Sequence, residues 1–393
     1  MTTGAPPPAD LRTSLLRSLP PDARAAVREI VSTHTTGGVY AVGGSVRDLL
    51  LGRQIVDLDL AVEGDAAALA RRALPDAKIT AHARFHTASV MASTRIDLAT
   101  ARREKYVRPG ALPRVTPATI TEDLRRRDFS MNAMALRLDG RAALLDPCGG
   151  VTDIVAKRVR VLHDASFRDD ATRIFRAFRY AKRIRFLLDA HTNALLRDGV
   201  RYVAAIGGER LRRELELMLG EETAGAALEA ADAAGALAAV HDALRWDRDR
   251  YRALAAEATA DIARVPFGFA LAVAGATPAD AAAVTLRLRL KRAEAAAVGG
   301  IASMGGVADM LNRRDAKPSG VVVLLDRYPA ASVAAFAATA ADPIARQLAL
   351  RYLAEWRHMK PLLSGRDLQE MGVPAGPLVQ RGLQLVRAAR LDG

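Results

Sequence analysis

The spacing of apolar residues along this chain changes near Asp153, and the change divides it into two kinds of structure. Upstream, apolar runs are short and punctuated by glycine. Residues 1–22 form a Pro-rich lead-in, and a helix is expected over Pro21–His34. Val39–Val42 is an apolar run ended by Gly43-Gly44, and SVRDLLLG reads as a short helix from a Ser45 N-cap to Gly52. In Val56–Val62 aspartates alternate with apolar residues, the period of a strand with Val56, Leu58 and Leu60 facing a core. Asp65–Ala73 reads as helix, and Lys78–Ala81, Ala88–Ala92 and Arg95–Ala99 as further short strands. Strands this close together leave no room for a crossover helix between every pair, so a mixed or antiparallel sheet is expected. Downstream, apolar residues recur at three and four (Ile174, Phe178, Ala181, then Leu211, Leu215, Met218), which predicts helices. Breaks at Val265-Pro266, Gly305-Gly306, Lys317-Pro318 and Pro361 divide that half into helical subdomains.

Composition narrows the class. The chain has 393 residues, 50% of them hydrophobic, which excludes a disordered or collagen-like polymer. No stretch reaches the roughly 18 apolar residues of a membrane span, and the N-terminus lacks a basic-then-apolar signal pattern. A cytoplasmic protein with no membrane partner is expected. Cys148, the single cysteine, cannot form an internal disulfide or a cysteine zinc cluster, and the seven histidines lack ligand spacing. His82, His86 and His163 read as sheet-edge or loop residues, Cys148 as a turn residue, and Trp246, Trp356 and Tyr251 as helix-packing residues. The net charge is +13, and it is concentrated: Val155–Arg213 carries +9 and Ala101–Arg127 +5, leaving the rest near neutral. Charge gathered in this way is the footprint of a polyanion partner.

The candidate chemistry begins with Asp57 and Asp59. Two residues apart on a strand, they place both carboxylates on one face. Paired carboxylates repel unless a cation lies between them, and a divalent metal held by oxygen ligands is the usual solution. Two such ions activate an attacking hydroxyl and stabilise a leaving phosphate. GGSVRD lies 13 residues upstream, where a strand ends and a helix begins. There the backbone N–H groups around Gly44 and Ser45 can face phosphate oxygens, with Arg47 in the first helical turn projecting toward the same place. A lone Asp-x-Asp or a lone Gly-Gly turn would be an ordinary sheet face and an ordinary turn; together they make a nucleotide site.

These residues resemble successive motifs of a known family. GGSVRDLLLGRQIVDLDLAVEG, DLATARREKYVRPGALPRV, EDLRRRDFSMNAMAL, DPCGGVTDI and SFRDDATRIFRAFRYAKRIRF are similar, in order, to motifs of the class II tRNA nucleotidyltransferases and bacterial poly(A) polymerases, and the likeness continues through GERLRREL into SGRDLQEMGVPAGPLV. The resemblance implies an α+β fold: a DNA polymerase beta-like head with a small mixed sheet, then an all-helical neck, body and tail. The implied divisions are a lead-in over 1–22, a catalytic head over 23–153, a base-recognising neck over 154–220, and a body and tail over 221–393 that bind tRNA. The implied activity is addition of the 3′-terminal CCA of tRNA from CTP and ATP without a nucleic-acid template, with Mg2+, in a two-ion site, as cofactor.

By position, the resemblance assigns Asp57 and Asp59 to metal, Gly44, Arg47 and Arg127 to nucleotide phosphate, Asp170 and Arg173 to base reading, and Arg176 and Arg179 to further nucleotide contacts. The spacing of Asp170, Arg173, Arg176 and Arg179 separately suggests one helix face. A third catalytic carboxylate is either Asp97, which alternates with Ile96 and Leu98, or Glu104. Asp169 departs from the commoner Glu of the family's EDxxR motif and resembles a subset, some of which add only part of the CCA end. The stretch Glu104–Thr121, with three prolines and a glycine, reads as an irregular loop that could act as a lever between C and A selection, which favours full CCA addition. An A-adding or CC-adding enzyme and a poly(A) polymerase are the alternatives within the family. A non-catalytic RNA-binding protein is the alternative outside it, and the intact Asp57/Asp59 pair with GGSVRD argues against it. No stable protein partner is implied.

Overall fold

The computed structural model describes residues 8–82, 86–246, 261–312 and 317–393. The chain divides into two compact units after Ile206, Met1–Ile206 and Gly207–Gly393. The first unit holds a seven-stranded mixed sheet in the order β3-β4-β5-β2-β1-β8-β9. Its strands are β1 (Val39–Val42), β2 (Asp57–Val62), β3 (Ile79–His82), β4 (Thr87–Met91), β5 (Arg95–Thr100), β8 (Ala135–Arg137) and β9 (Leu144–Leu145). Only β2 and β5 pair in parallel; the other neighbours are antiparallel. The α+β fold with a mixed sheet is as expected.

The sheet's two faces explain where the site lies. Leu58, Leu60 and Val62 of β2 and Ile96 and Leu98 of β5 join a large apolar cluster with helices α1 (Pro8–Ser18), α2 (Pro21–Thr33) and α4 (Ala66–Ala73). The alternate residues Asp57, Asp59 and Asp97 therefore share the opposite face. On that face Ala61, Tyr40 and Val42 pack with Ile120 and Leu124 of α5 (Ile120–Arg125) in a smaller cluster, and the carboxylates lie beyond it along β2 and β5.

Several local expectations are corrected. The described part of the lead-in, residues 8–22, is integral to the head: Leu11, Leu15 and Leu19 are buried in the main cluster, so α1 belongs to the sheet's packing. Val56 precedes β2 and is 72% exposed, because the strand and its inward alternation start at Asp57. Ser45 is not an N-cap. Helix α3 (Gly44–Leu50) starts one residue earlier, and the Ser45 hydroxyl instead donates to the Asp57 carbonyl (3.2 Å) and accepts from the Asp59 N–H (3.0 Å), tying helix to strand.

The expected irregular loop over Glu104–Thr121 is largely a hairpin. β6 (Arg102–Lys105) pairs antiparallel with β7 (Arg114–Pro117), Glu104 facing Val115, and Pro113 and Pro117 flank and end the second strand where their missing N–H costs least. Gly110 in the connection has φ +76°, and a Cβ there would meet the Ala205 carbonyl oxygen, so this position requires glycine.

Beyond the sheet come α6 (Gly150–Val155), β10 (Arg158–Val159), α7 (Ser166–Asp169), α8 (Thr172–Ile184) and β11 (Leu187–Leu188), with β10 and β11 pairing in parallel. The second unit is helical throughout its described residues, from Gly208–Gly220 to Pro377–Asp392. Leu211, Leu215 and Met218 are buried along the first of these helices, as their spacing predicts. The expected division at 220/221 falls at that helix's end, so the helix itself belongs to the second unit. Trp246 and Trp356 are buried, in keeping with packing roles; Tyr251 lies outside the described residues. His82 is on the edge strand β3, and His86 and His163 are exposed outside the strands and helices. No single helix among the described residues is long and apolar enough to cross a membrane.

Candidate active site

A cavity of about 660 Å³ opens in the first unit. Its strand wall carries Gly43, Gly44, Asp57 and Asp59; its helix wall carries Thr172, Arg173, Arg176, Tyr180 and Arg183 of α8, preceded by Asp170. Glu104 and Tyr106 of the hairpin region, with Arg126, Arg127 and Asp128 after α5, close the remaining side.

Gly43 sits at the turn with φ +67°, a conformation other residues rarely adopt. A Cβ there would lie 2.8 Å from an Arg127 guanidinium nitrogen and 3.8 Å from Asp59 Oδ2, so Arg127 and Asp59 converge over this residue. Gly44, the glycine picked from the sequence, has room for a Cβ at ordinary distance from Arg47. Gly43 carries the steric demand.

Asp57 is exposed to the cavity, while burial pushes the Asp59 carboxyl above its ordinary pKa, with Arg127 opposing and Asp97 and Asp57 adding to the rise. Among the described residues neither Asp57 nor Asp59 has a hydrogen-bonded or ion-paired carboxylate partner, in contrast to the other acids nearby. Two oxygen-only ligands on one strand face, with neither carboxylate in a hydrogen bond or ion pair among the described residues, fit a hard divalent ion. Among the described residues no third His, Cys, Asp or Glu completes a protein-only cage. That also fits an ion of the magnesium type, which commonly takes one or two carboxylates and leaves its other positions to water and substrate phosphate.

The two candidates for a third carboxylate differ. Asp97 pairs in register with Asp59 on the parallel ladder and so shares its face, where it is held by Ser89 and by Arg95 Nε at 3.0 Å. Glu104 is 7% exposed and committed to structure: Arg126 (2.8 Å), Arg102 (3.1 Å) and the Tyr106 hydroxyl (3.0 Å) all donate to it.

Arg47 is buried, with its guanidinium on both Asp48 oxygens (2.9 and 2.8 Å) and on Asn132 Oδ1 (2.6 Å). Asn132 in turn donates to Asp128 (3.0 Å), and Asp128 receives Arg176 through Nε (2.8 Å) and a terminal nitrogen (2.6 Å). Burial alone would raise the Asp128 pKa, but Arg176 and the Asn132 bond outweigh it and hold the carboxyl at about 2. Arg127 and Arg126 share Asp123 in the same manner, each on one carboxylate oxygen, and hold it below its ordinary range against the effect of burial. Arg173 is fixed by Ser166 Oγ (2.8 Å) and the Arg126 carbonyl (2.9 Å).

The expected single helix face needs correction. Asp170 precedes α8, in extended conformation, and its carboxylate accepts from the Thr172 N–H (3.0 Å) and hydroxyl (2.7 Å). Arg173 and Arg176 do line the cavity, but Arg179 does not; it is buried with its guanidinium 4.7 Å from the Tyr180 ring centre. The α8 residues that reach the cavity are Thr172, Arg173, Arg176, Tyr180 and Arg183, in steps of one, three and four. Tyr180 and Arg183 were open to discovery by steps of four and three from Arg176, whereas Asn132, at the end of the 3-10 turn Ser130–Asn132, and Asp128, just before it, have no periodicity to mark them.

Comparisons with known proteins bear on the fold and the family. Residues 39–160 match the family of the poly A polymerase head domain. An A-adding tRNA nucleotidyltransferase of Geobacter sulfurreducens is 31% identical over 90% of this chain and 43% of its own length. A CC-adding tRNA nucleotidyltransferase of Deinococcus radiodurans is 42% identical over 50% of this chain and 53% of its own. The chain thus spans about half the length of these curated relatives. The structure of a Thermotoga maritima CCA-adding enzyme complexed with tRNA superposes with a TM-score of 0.76 at 27% identity, covering 98% of this chain and 94% of that one. With its motifs in order and its fold shared, the chain carries a poly A polymerase head domain over residues 39–160 and is similar along its length to the class II tRNA nucleotidyltransferases.

Proposed function

We propose that this protein is an enzyme that transfers nucleotidyl groups from CTP and ATP to the 3′ hydroxyl of tRNA, building all or part of the terminal CCA without a nucleic-acid template. The observation that carries the reading is the pairing, in one cavity, of the unpartnered Asp57/Asp59 face with an arginine-rich helix wall. Asp57 and Asp59 hold a divalent cation, magnesium by the oxygen-only donor set. When bound, that ion activates the attacking hydroxyl and offsets charge on the leaving pyrophosphate. Asp97 supports the pair from the neighbouring strand.

Arg127, beside Asp59, and Arg47, beneath Gly44, face triphosphate oxygens. The Asp170 carboxylate accepts from the exocyclic amine that C and A possess and U and G lack at the corresponding position, and Arg173 donates at the ring acceptors. Residues 154–220 serve as the neck, and residues 221–393 as the body and tail that contact tRNA. We place the protein in the cytoplasm, where tRNA maturation requires it.

A second reading, addition of the terminal A alone, is favoured by two observations: the paired hairpin β6–β7 in place of an open lever loop, and the A-adding relative that matches along 90% of the chain. Three tRNAs lacking CCA, CA or A, each given CTP and ATP separately and together with magnesium, test both. Completion of all three supports full CCA addition. Extension of only the tRNA ending in CC supports the A-adding reading, and no incorporation into any overturns the enzyme reading.

A further inference from the structure

Tyr180 is buried on α8 within the cavity wall, at 8% exposure. Four guanidinium groups surround its ring, with their central carbons 4.7 Å (Arg179), 5.2 Å (Arg183), 5.3 Å (Arg47) and 5.6 Å (Arg176) from the ring centre. Phe129 meets the same ring edge-on, with centres 5.9 Å apart and planes at 89°. Arg176 also donates to the Tyr180 hydroxyl at 3.2 Å.

Like charges gathered this closely repel; Asp48 pairs with Arg47 and Asp128 with Arg176. The tyrosine ring contributes attraction of a different kind. Its negative face draws guanidiniums in without itself neutralising them. A carboxylate at this position would form ion pairs and cancel their charge, and an aliphatic side chain would supply no attraction. The arginines come from α3 and α8, and the ring is the contact both elements share; three of the four, Arg47, Arg176 and Arg183, line the cavity.

We propose that Tyr180 is a positioning residue whose ring gathers Arg47, Arg176 and Arg183 into the surface that takes the triphosphate of the incoming nucleotide. The role rests on the nucleotidyl-transfer reading and adds to it a residue that acts through the arginines. The ring's electrostatics, more than its shape or its hydroxyl, carries the effect.

The test varies the quadrupole at constant shape. Tyr180 is replaced by Phe and then by phenylalanines bearing one, two and three ring fluorines, and affinity for inorganic tripolyphosphate is measured by calorimetry in EDTA, so that arginines and not a metal bind it. The expected result is Tyr180→Phe within about twofold of the unsubstituted protein, then a stepwise fall reaching about tenfold at three fluorines, the size of one desolvated cation–π contact. Melting temperatures should show no matching trend. A flat series overturns the proposal, as does a loss in Tyr180→Phe equal to that of the trifluoro variant, or no tripolyphosphate binding by the unsubstituted protein. Incorporation of CTP and ATP into tRNA is scored separately. A stepwise series in a protein that incorporates nothing overturns the nucleotidyl-transfer reading alone, and a flat series in an active enzyme overturns the Tyr180 role alone.

Discussion

On the strand wall of the cavity, Asp57 and Asp59 stand with no hydrogen-bonded or ion-paired carboxylate partner among the described residues, and burial raises the Asp59 pKa. Across the cavity the arrangement is reversed: Asp128 takes Arg176 through two nitrogens, Asp123 takes Arg126 and Arg127, and Arg173 is pinned by a hydroxyl and a carbonyl. Unpaired acids of one sign make a wall that is incomplete until a cation arrives. Cations held by fixed acceptors make a wall whose donors are already aimed. The first arrangement suits chemistry and the second suits recognition, because discrimination depends on donors that do not reorganise for the wrong base.

The most severe break in this division comes from the strand wall. Asp57→Ala or Asp59→Ala should lower nucleotide incorporation by about a thousandfold or more, since several kcal/mol of charge stabilisation is lost. Affinity for tRNA, measured by filter binding, should stay within about threefold, because the basic segments are untouched.

On the helix wall, Asp128→Ala removes one partner of a buried ion pair and should cost about 3–5 kcal/mol of stability in chemical denaturation. The associated pH effect has a definite sign. The Asp128 carboxyl is held at about 2 when folded, below its ordinary 3.8, so its stabilisation is full above about pH 4 and is lost as pH falls toward 2. Asp128→Asn should flatten that part of the acid-unfolding curve.

The comparison is sharpened by the two acids that could belong to either wall. Asp97→Asn should lower kcat by about tenfold or more, as a group on the Asp59 face would, judged against the several kcal/mol available to the whole clamp. Glu104→Gln should leave kcat within about threefold and instead cost about 1–3 kcal/mol of stability, as the loss of a charged hydrogen-bond acceptor does. Equal losses of kcat in both variants would place Glu104 with the catalytic acids. The smallest effect is expected at Arg179, which lies off the cavity: Arg179→Gln should change the KM for CTP and ATP by no more than about twofold.

Much of the strand wall was legible in the sequence. A period of two set Asp57 and Asp59 together, the same alternation set Asp97 on their face, and the parallel pairing of β2 with β5 made them neighbours. The helix wall was legible only in part. Equal steps of three suggested one face, but Arg179 is buried with its guanidinium against the Tyr180 ring and does not line the cavity, and Asp170 precedes the helix altogether. The roles of Asn132 and Asp128 depend on a loop folding back between α3 and α8, a long-range arrangement that no local period encodes. The hairpin was hidden for the opposite reason. Its prolines and glycine signal an irregular segment, yet they fall at the ends of β7 and in the connection, where a hairpin tolerates them.

The division between walls is tested most directly by steady-state kinetics of two variants side by side, Asp57→Asn and Asp170→Ala, on tRNA with CTP, ATP, UTP and GTP in turn. Asp57→Asn should lose turnover on CTP and ATP by a common factor and keep what residual preference it has. Asp170→Ala should keep turnover within about tenfold while its preference against UTP and GTP falls by about 1–3 kcal/mol, roughly five- to 150-fold. An Asp170→Ala enzyme that still rejects UTP and GTP as strongly as the unsubstituted protein, or an Asp57→Asn enzyme with near-normal turnover, would contradict that division.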